Sequence, residues 1–159
     1  MSSGDAAEDP TAFAASVQNI VRTTVPLLGA MGIEVVEASR GRVRTRLPFR
    51  RENGNHIGTV YAGVLFSFLE SSGGALVFVS FDIARWIPVI VEGSIRFVRP
   101  VTGAVETMLE IGDAERDEVH RALDADPKSS WTLHAVATAE DGRVACEADF
   151  VYRFRSIPT

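Results

Sequence analysis

The chain has 159 residues, of which 46% are apolar and 23% charged, which is the size and composition of one folded domain and excludes a disordered segment. Its 16 basic and 21 acidic residues give a net charge of −5, which argues against a general electrostatic attraction for nucleic acid. Cys146 is the only cysteine, so no internal disulfide and no cysteine zinc site can form, and a reducing cytoplasm is the expected location.

The N-terminal region predicts a tail followed by a helix. Residues 1–9 are small and acidic, and they lack the basic start and apolar stretch of an export signal. We therefore expect 1–9 to be a flexible tail and 10–155 to form a single domain. Asp9 as cap and Pro10 as first helical residue predict a helix, and apolar residues at helical spacing continue it to Thr24.

A hairpin is predicted after this helix. Pro26 and the glycines that follow it should end or kink the helix. Strands are expected at 33–38 and 42–49, joined by a short glycine-bearing turn. In the second strand, apolar side chains alternate with three arginines, which should face the opposite side: Arg42, Arg44 and Arg46.

A long apolar segment at 60–81 has a single charged residue, Glu70. Its 22 residues are enough to cross a bilayer of about 30 Å. However, it includes three glycines, four serines and a carboxylate near its middle, where a lone charge would be costly in lipid. The segment therefore predicts a helix surrounded by its own protein, without a membrane partner.

The second half of the chain changes to the period of two that is typical of half-buried strands. A charged surface helix is expected at 113–126, and the strands are expected at 87–97, 105–111, 131–137 and 144–154. Apolar residues at every second position from Ile87 to Phe97 should share one face, and the four strands should form an antiparallel meander. The predicted class is therefore α+β, with an antiparallel sheet wrapped around a long central apolar helix, an N-terminal helix and a short extra helix.

Glu70 is the first candidate for a catalytic residue, because desolvation on an apolar helix should raise the pKa of its carboxyl group. Such a carboxylate could act as a general base or a nucleophile. The alternative is a structural ion pair with an arginine, or a carboxylate that faces solvent on a partly exposed helix.

The loop that enters the central helix, residues 55–63, is the second candidate. Free N–H groups at a helix start can bind an oxyanion, and the small residues Ala62 and Gly63 would let a carbonyl approach the backbone. Eight residues separate Ala62 from Glu70, or about 12 Å along a helix, which is too far for one carbonyl group to touch both. Two antiparallel copies of the helix could join them, so a homodimer is expected.

These residues resemble the motif of hotdog-fold acyl-CoA thioesterases of the phenylacetate-pathway and small-thioesterase type. That motif has Asn, two residues, Gly, two residues, His-Gly-Gly, and an acid seven positions after the second glycine. The matching positions are Asn55, Gly58, Tyr61, Ala62, Gly63 and Glu70. Tyr61 and Ala62 replace the histidine and the first glycine. The stretch 31–155 follows the hotdog order of elements, and the extra charged helix resembles the poorly characterised thioesterase-like branch of the superfamily.

The resemblance implies a hotdog fold and hydrolysis of an acyl thioester of coenzyme A or of an acyl-carrier protein, by a homodimer or by a tetramer of dimers. The backbone N–H near Ala62, beside Gly63, would polarise the thioester carbonyl. Asn55 would position the attacking water or the carbonyl, and Glu70 of the partner chain would be base or nucleophile. Gly58 and Tyr61 would lie against the substrate.

Other side chains are expected to contact the rest of the substrate. Phe66, together with Val64, Leu65, Phe68 and the strand 87–97, should line an apolar acyl pocket. Arg96 and Arg99, among several arginines, could hold the phosphates of coenzyme A at the mouth of the site. The arginines of the hairpin could instead protect an edge strand from unwanted pairing.

Two other functions stay open at this point. One is a non-catalytic acyl-CoA-binding module on the same fold, and the other is a hotdog dehydratase or hydratase that uses His56 and Glu70. The chain has no phosphate-binding glycine loop and no histidine or acidic cluster at metal-binding spacing. We therefore expect no metal and no cofactor, with coenzyme A present only as part of the substrate. Cys146 is expected in the core.

Overall fold

Residues 10–157, which a computed structural model describes, fold into four α-helices and six β-strands. The elements are α1 (Pro10–Thr24), α2 (Pro26–Met31), β1 (Glu34–Ser39), β2 (Arg42–Leu47), α3 (Ala62–Ser80), β3 (Trp86–Phe97), β4 (Val105–Glu110), α4 (Asp113–Ala125), β5 (Ser130–Ala139) and β6 (Val144–Ser156), with a 3-10 turn at Arg51–Asn53. The predicted tail 1–9 and its Asp9 cap lie outside the described residues.

The six strands form one antiparallel sheet in the order β1-β2-β4-β5-β6-β3, and α3 packs against its inner face. Alternating residues of β5 and β6 point toward α3 and are fully buried, as their period of two predicts. The α+β class, the sheet wrapped around a central apolar helix, and the N-terminal and extra helices are confirmed.

The central helix α3 is buried on most of its circumference. Phe68, Leu69, Leu76 and Val77 have no measurable exposed surface. By length and composition alone, α3 is the one described helix that could cross a membrane, and 56% of its most apolar 18-residue window is buried inside this domain. The core helix of a folded domain passes the same test, because a buried helix and a membrane-spanning helix must both be apolar on nearly every side.

The expected four-stranded meander is wrong for its first strand. β4, β5 and β6 do follow one another, but β3 pairs with β6 along almost its whole length and has no other neighbour among the described strands. The backbone N–H groups of Val98 and Arg99, just after β3, continue this pairing by donating to the carbonyl of Ala145. β3 is therefore an edge strand, at the opposite edge of the sheet from β1.

The prediction that Ile87 to Phe97 share one face is also wrong. The register of β3 with β6 shifts between Ile90 and Glu92, and the extra residue is Val91. Ile87 lies opposite Arg155 on the outer face, whereas Phe97 lies opposite the buried Cys146 on the inner face. A bulge adds one residue to one strand, and this reverses the side to which every later residue points.

The N-terminal helices lie over α3 and the start of the sheet. Val25 adopts an extended conformation, and Pro26 begins a second helix, so the predicted break occurs at this proline. Gln18 connects α1 to β1, because its amide donates to the carbonyl of Ile33 and accepts from the N–H of Val35. This places α1 and α2 next to the middle of α3.

Candidate functional site

The loop before α3 is held in place by two asparagines. The side-chain oxygen of Asn55 accepts hydrogen bonds from the N–H groups of Ile57 and Thr59, both at 3.1 Å, and its amide donates to the Thr59 hydroxyl at 2.8 Å. Gly58 has φ +79, which an L side chain rarely adopts, so it is required for this turn. Asn55 and Gly58, both predicted as site residues, therefore shape the loop.

Asn53 is a residue that the sequence analysis missed. Its side chain is 2% exposed and donates to the carbonyls of Met31 and Pro48. Its own carbonyl accepts from the N–H of Tyr61 at 2.8 Å, which fixes the start of α3. The sequence Asn53-Gly-Asn55 does not indicate that Asn53 supports the fold whereas Asn55 belongs to the family motif.

The start of α3 has two free hydrogen-bond donors. Tyr61 is the N-cap residue, and its carbonyl accepts from Val64 at 2.9 Å and from Leu65 at 3.2 Å. Among residues 10–157, the N–H groups of Ala62 and Gly63 have no acceptor. Two unpaired donors at the positive end of a 19-residue helix form a site that can bind an anion or a developing oxyanion.

Tyr61 lies over this helix start. Its side chain is 57% exposed, and a Cβ added at Gly63 would lie 2.6 Å from the Tyr61 ring. Gly63 is thus needed for the ring to occupy its position. The glycine that the sequence analysis assigned to substrate approach also accommodates the tyrosine that replaces the family's histidine.

Glu70 lies two turns further along α3 and is half-buried. Burial raises the pKa of its carboxyl group above the ordinary value, and no charged or hydrogen-bonding partner among the described residues contributes. The buried Tyr152 is close enough that the charge of Glu70, after burial itself, raises the pKa of the tyrosine hydroxyl. Within residues 10–157, Glu70 is therefore neither in an ion pair nor fully solvated, so the ion-pair alternative has no support there.

The two features line different cavities of one chain. Asn55, Ala62 and Arg99 line a cavity of about 320 Å³ between the loop and the end of β3. Glu70 lines a separate cavity of about 240 Å³ between α1, α2 and α3. The structure therefore brings the loop, the helix start and Arg99 together, and it leaves Glu70 apart, as the 12 Å estimate predicts.

The arginines differ in whether their guanidinium groups are already paired and so in whether they could bind a phosphate. The Nε of Arg99 donates to the Val144 carbonyl at 2.7 Å, and its remaining N–H groups make no bond within residues 10–157. Arg96 is exposed but pairs with Glu147. The hairpin arginines pair with carboxylates on the outer face of the sheet, so they form no phosphate site at the loop: Arg42 with Glu37 and Glu110, Arg44 with Glu37 and Glu106, Arg46 with Glu34, Glu106 and Glu140.

Most of the side chains expected to line an acyl pocket pack between α3 and the sheet, whereas Leu65 and Phe97 also line the cavity of about 320 Å³ beside Ala62. The Phe66 ring packs edge-on against Phe150 with centroids 5.4 Å apart, and a Cβ at Gly93 would lie 3.1 Å from it. Phe68 is fully buried core, and Leu65 is only 4% exposed. These side chains fill the space between helix and sheet, because close packing there stabilises the fold.

The other singled-out residues lie on the loop, on the outer face of the sheet and in the core. His56 is exposed on the loop, and His134 pairs with Asp149 on the outer face of the sheet. Cys146 is fully buried, as predicted, and burial raises the pKa of its thiol to about 11. No group of three or more histidine, cysteine, aspartate or glutamate side chains that could hold a metal ion occurs within residues 10–157.

The architecture, with its antiparallel sheet wrapped around α3, is the hotdog fold of the thioesterase superfamily. Residues 14–153 match the family described as Domain of unknown function (DUF4442), and the chain belongs to that family.

Solved structures agree with this assignment. A Pseudomonas aeruginosa protein of unknown function, described as a probable thioesterase, is 30% identical with a TM-score of 0.84, over 90% of this chain and 95% of its own. A Chlorobaculum tepidum protein of unknown function is 14% identical, with a TM-score of 0.79 over 93% and 97% of the two chains. A Haemophilus influenzae thioesterase is 11% identical, with a TM-score of 0.72 over 92% of each, and these last two likenesses concern the fold alone. None of the curated proteins matches the chain.

Proposed function

We propose that this protein hydrolyses acyl thioesters of coenzyme A as a homodimer, with Ala62 from one protomer and Glu70 from the other in each site. The observation that carries the proposal is Glu70 itself, a carboxylate without a partner among the described residues, on the apolar wall of a cavity. A carboxylate in such a position destabilises the folded protein, because it is partly desolvated and has no partner. This cost is typical of a functional residue and not of a purely structural one. The likeness to a probable thioesterase at 30% identity supports the same reaction.

The chemistry follows from the two features of α3. The carbonyl oxygen of the thioester accepts hydrogen bonds from the N–H groups of Ala62 and Gly63, which stabilise the negative charge that develops there. Glu70, acting as base, removes a proton from water while the water oxygen bonds to the carbonyl carbon. The carbon–sulfur bond then breaks, and the leaving thiolate takes up that proton. Desolvation makes the Glu70 carboxylate a stronger base, because its pKa is raised.

A second copy of the chain is needed to bring these groups together. About 12 Å of helix separates them within one protomer, and they line different cavities. The edge strand β3 supports dimerisation, because it has a free edge and exposes the apolar side chains of Ile87, Val91 and Phe97. Two copies related by a two-fold axis would give two equivalent sites.

Coenzyme A as the thiol component is supported by Arg99. Arg99 lines the same cavity as Asn55 and Ala62, and its guanidinium keeps N–H groups that are unused within residues 10–157, which suits a phosphate. One Nδ2 hydrogen of Asn55 is also unused within residues 10–157 and can be offered to the carbonyl or to the attacking water.

The test is to remove one donor without disturbing the helix. Ala62→Pro deletes the N–H at the first helical position, where proline is tolerated, and Tyr61 at φ −64 and ψ 136 already has the conformation preferred before proline. We expect kcat for thiol release from acyl-CoA to fall about 10²- to 10³-fold. Ala62→Gly, which keeps the N–H, is the matched control and should retain activity.

Complementation tests the shared site. Ala62→Pro and Glu70→Gln are each expected to be inactive, but mixed dimers contain one site with both groups intact. Random exchange of protomers should restore about one quarter of the wild-type activity, since half of the dimers then have one of two sites. Failure to restore activity, with subunit exchange confirmed, would rule out the shared site.

The binding-module alternative is favoured by one observation, the Tyr61 ring over the helix start. If wild-type protein releases no thiol from a panel of acyl-CoAs yet is thermally stabilised by them, binding without hydrolysis is the better conclusion.

A further inference from the structure

The cavity at Glu70 is largely apolar. It lies between the N-terminal helices and α3, and its volume is about 240 Å³. Ile20, Val21 and Leu28 form one wall, and Glu70, Gly74 and Phe78 form the opposite wall. Among all the residues that line it, only Thr24, Glu70 and Ser71 have polar side chains, so the cavity suits a hydrocarbon better than a polar ligand.

We propose that this cavity, and not the sheet side of α3, receives the acyl chain of the substrate, and that it selects chains of up to about ten carbons. The inference rests on the proposed hydrolysis, because it takes Glu70 as the group that acts on the thioester carbonyl. The acyl chain begins one bond from the carbonyl carbon. An apolar cavity that has the reacting carboxylate in its wall is therefore a space that the chain can enter directly.

The volume sets the length of the chain. An apolar cavity of about 150 Å³ binds benzene, which has six carbons, so 240 Å³ corresponds to about ten carbons. The cavity of about 320 Å³ that Leu65 lines on the other side of α3 has the polar side chains of Asn55 and Arg99 in its wall, so it suits the coenzyme A part of the substrate better than a hydrocarbon.

Gly74 is a position at which a substitution can reduce the volume of the cavity. A Cβ added at Gly74 would meet no atom within 4 Å, so the first carbon of a side chain fits there and the rest can extend into the cavity. Its φ does not lie in the left-handed region, and alanine or leucine suits a helix better than glycine. Gly74→Leu therefore adds four carbons to the wall of the cavity while keeping the helix.

The experiment measures kcat/KM against acyl-CoAs from butyryl to palmitoyl. For wild type we expect about a fourfold rise per methylene up to about ten carbons, and no further rise beyond. Gly74→Leu should move this limit to about six carbons, with a loss on the order of a hundredfold for decanoyl-CoA and almost none for butyryl-CoA. Val21→Ala, on the opposite wall, should extend the limit by about two carbons.

Gly112→Leu is the matched control. It adds the same side chain at the N-cap of α4, where a Cβ also meets nothing, and it lies outside the cavity. Its chain-length profile should equal that of wild type. If Gly74→Leu and Val21→Ala both keep the wild-type profile while hydrolysis proceeds, the acyl-cavity inference is wrong and the proposed function stands.

A binding measurement separates the two proposals if no hydrolysis occurs. Calorimetry with octanoyl-CoA then replaces the rate assay. Loss of affinity in Gly74→Leu but not in Gly112→Leu would support the cavity as the acyl site although the enzymatic function has failed. Equal affinity in all three proteins would overturn the inference.

Discussion

Gly73 and Gly74 are neighbours in α3, yet alanine at these two positions is expected to change stability in opposite directions. Helix propensity favours alanine over glycine by about 1 kcal/mol at either position. At Gly74 an added Cβ meets nothing within 4 Å, so this gain should be realised. At Gly73 the added Cβ would lie 2.5 Å from the Tyr152 hydroxyl oxygen and 2.9 Å from a methyl carbon of Leu133.

The size of the difference follows from the cost of overpacking. Forcing a methyl group into a filled core costs about 1–3 kcal/mol, so Gly73→Ala should lose about 1 kcal/mol after the propensity gain. The two variants should then differ by about 2 kcal/mol, or about 4–8 °C in Tm for a domain of this size. The assay is chemical and thermal denaturation at one protein concentration, since a dimer's stability depends on concentration.

Tyr152→Phe provides the decisive control. The Tyr152 hydroxyl is buried and makes no hydrogen bond within the described residues, so removing it should cost little. Combined with Gly73→Ala, it removes the closest contact and should recover part of the lost stability. Equal stability of Gly73→Ala and Gly74→Ala, or no coupling between Gly73→Ala and Tyr152→Phe, would refute this account of the packing.

Three further predictions concern the site. The pKa of Glu70 is raised in the folded chain, so the wild-type protein loses stability as pH rises through that pKa. Glu70→Gln should therefore be more stable than wild type at pH 7. Denaturation measured over a range of pH should show the difference in stability between the two proteins disappearing below about pH 4.3, where the carboxyl group is protonated even in the unfolded chain. Asn53→Ala should lose about 1–3 kcal/mol because buried carbonyls lose their donor, whereas Asn55→Ala should cost less in denaturant and chiefly lower kcat/KM. Arg99→Ala should raise KM for acyl-CoA with kcat retained, and Arg96→Ala should change KM less because Glu147 already holds its guanidinium; equal effects in steady-state assays would contradict the assignment of Arg99 to phosphate.

The candidate site was predictable from the sequence in its chemistry but only partly in its surroundings. A single charge on a long apolar helix identified Glu70, and the spacing of the motif placed free N–H groups at Ala62 and Gly63. The roles of Asn53 and Asn55 could not be separated, because hydrogen bonds to Met31 and Thr59 depend on how the loop folds. That Phe66 and Phe68 pack into the core could not be predicted, since apolar residues that fill a core and those that line a cavity are the same residue types.

The amino-acid sequence by itself determined the class of fold, the central helix and the set of candidate site residues, because alternation and helical spacing are local properties of neighbouring residues. The tertiary structure alone decided the partner of β3, the reversal of faces at Val91 and the cavity between α1, α2 and α3. Strand pairing joins residues far apart in the chain, and any two apolar antiparallel strands satisfy the same local pattern. One extra residue in a bulge reverses the faces without changing composition, so only the folded register reveals it.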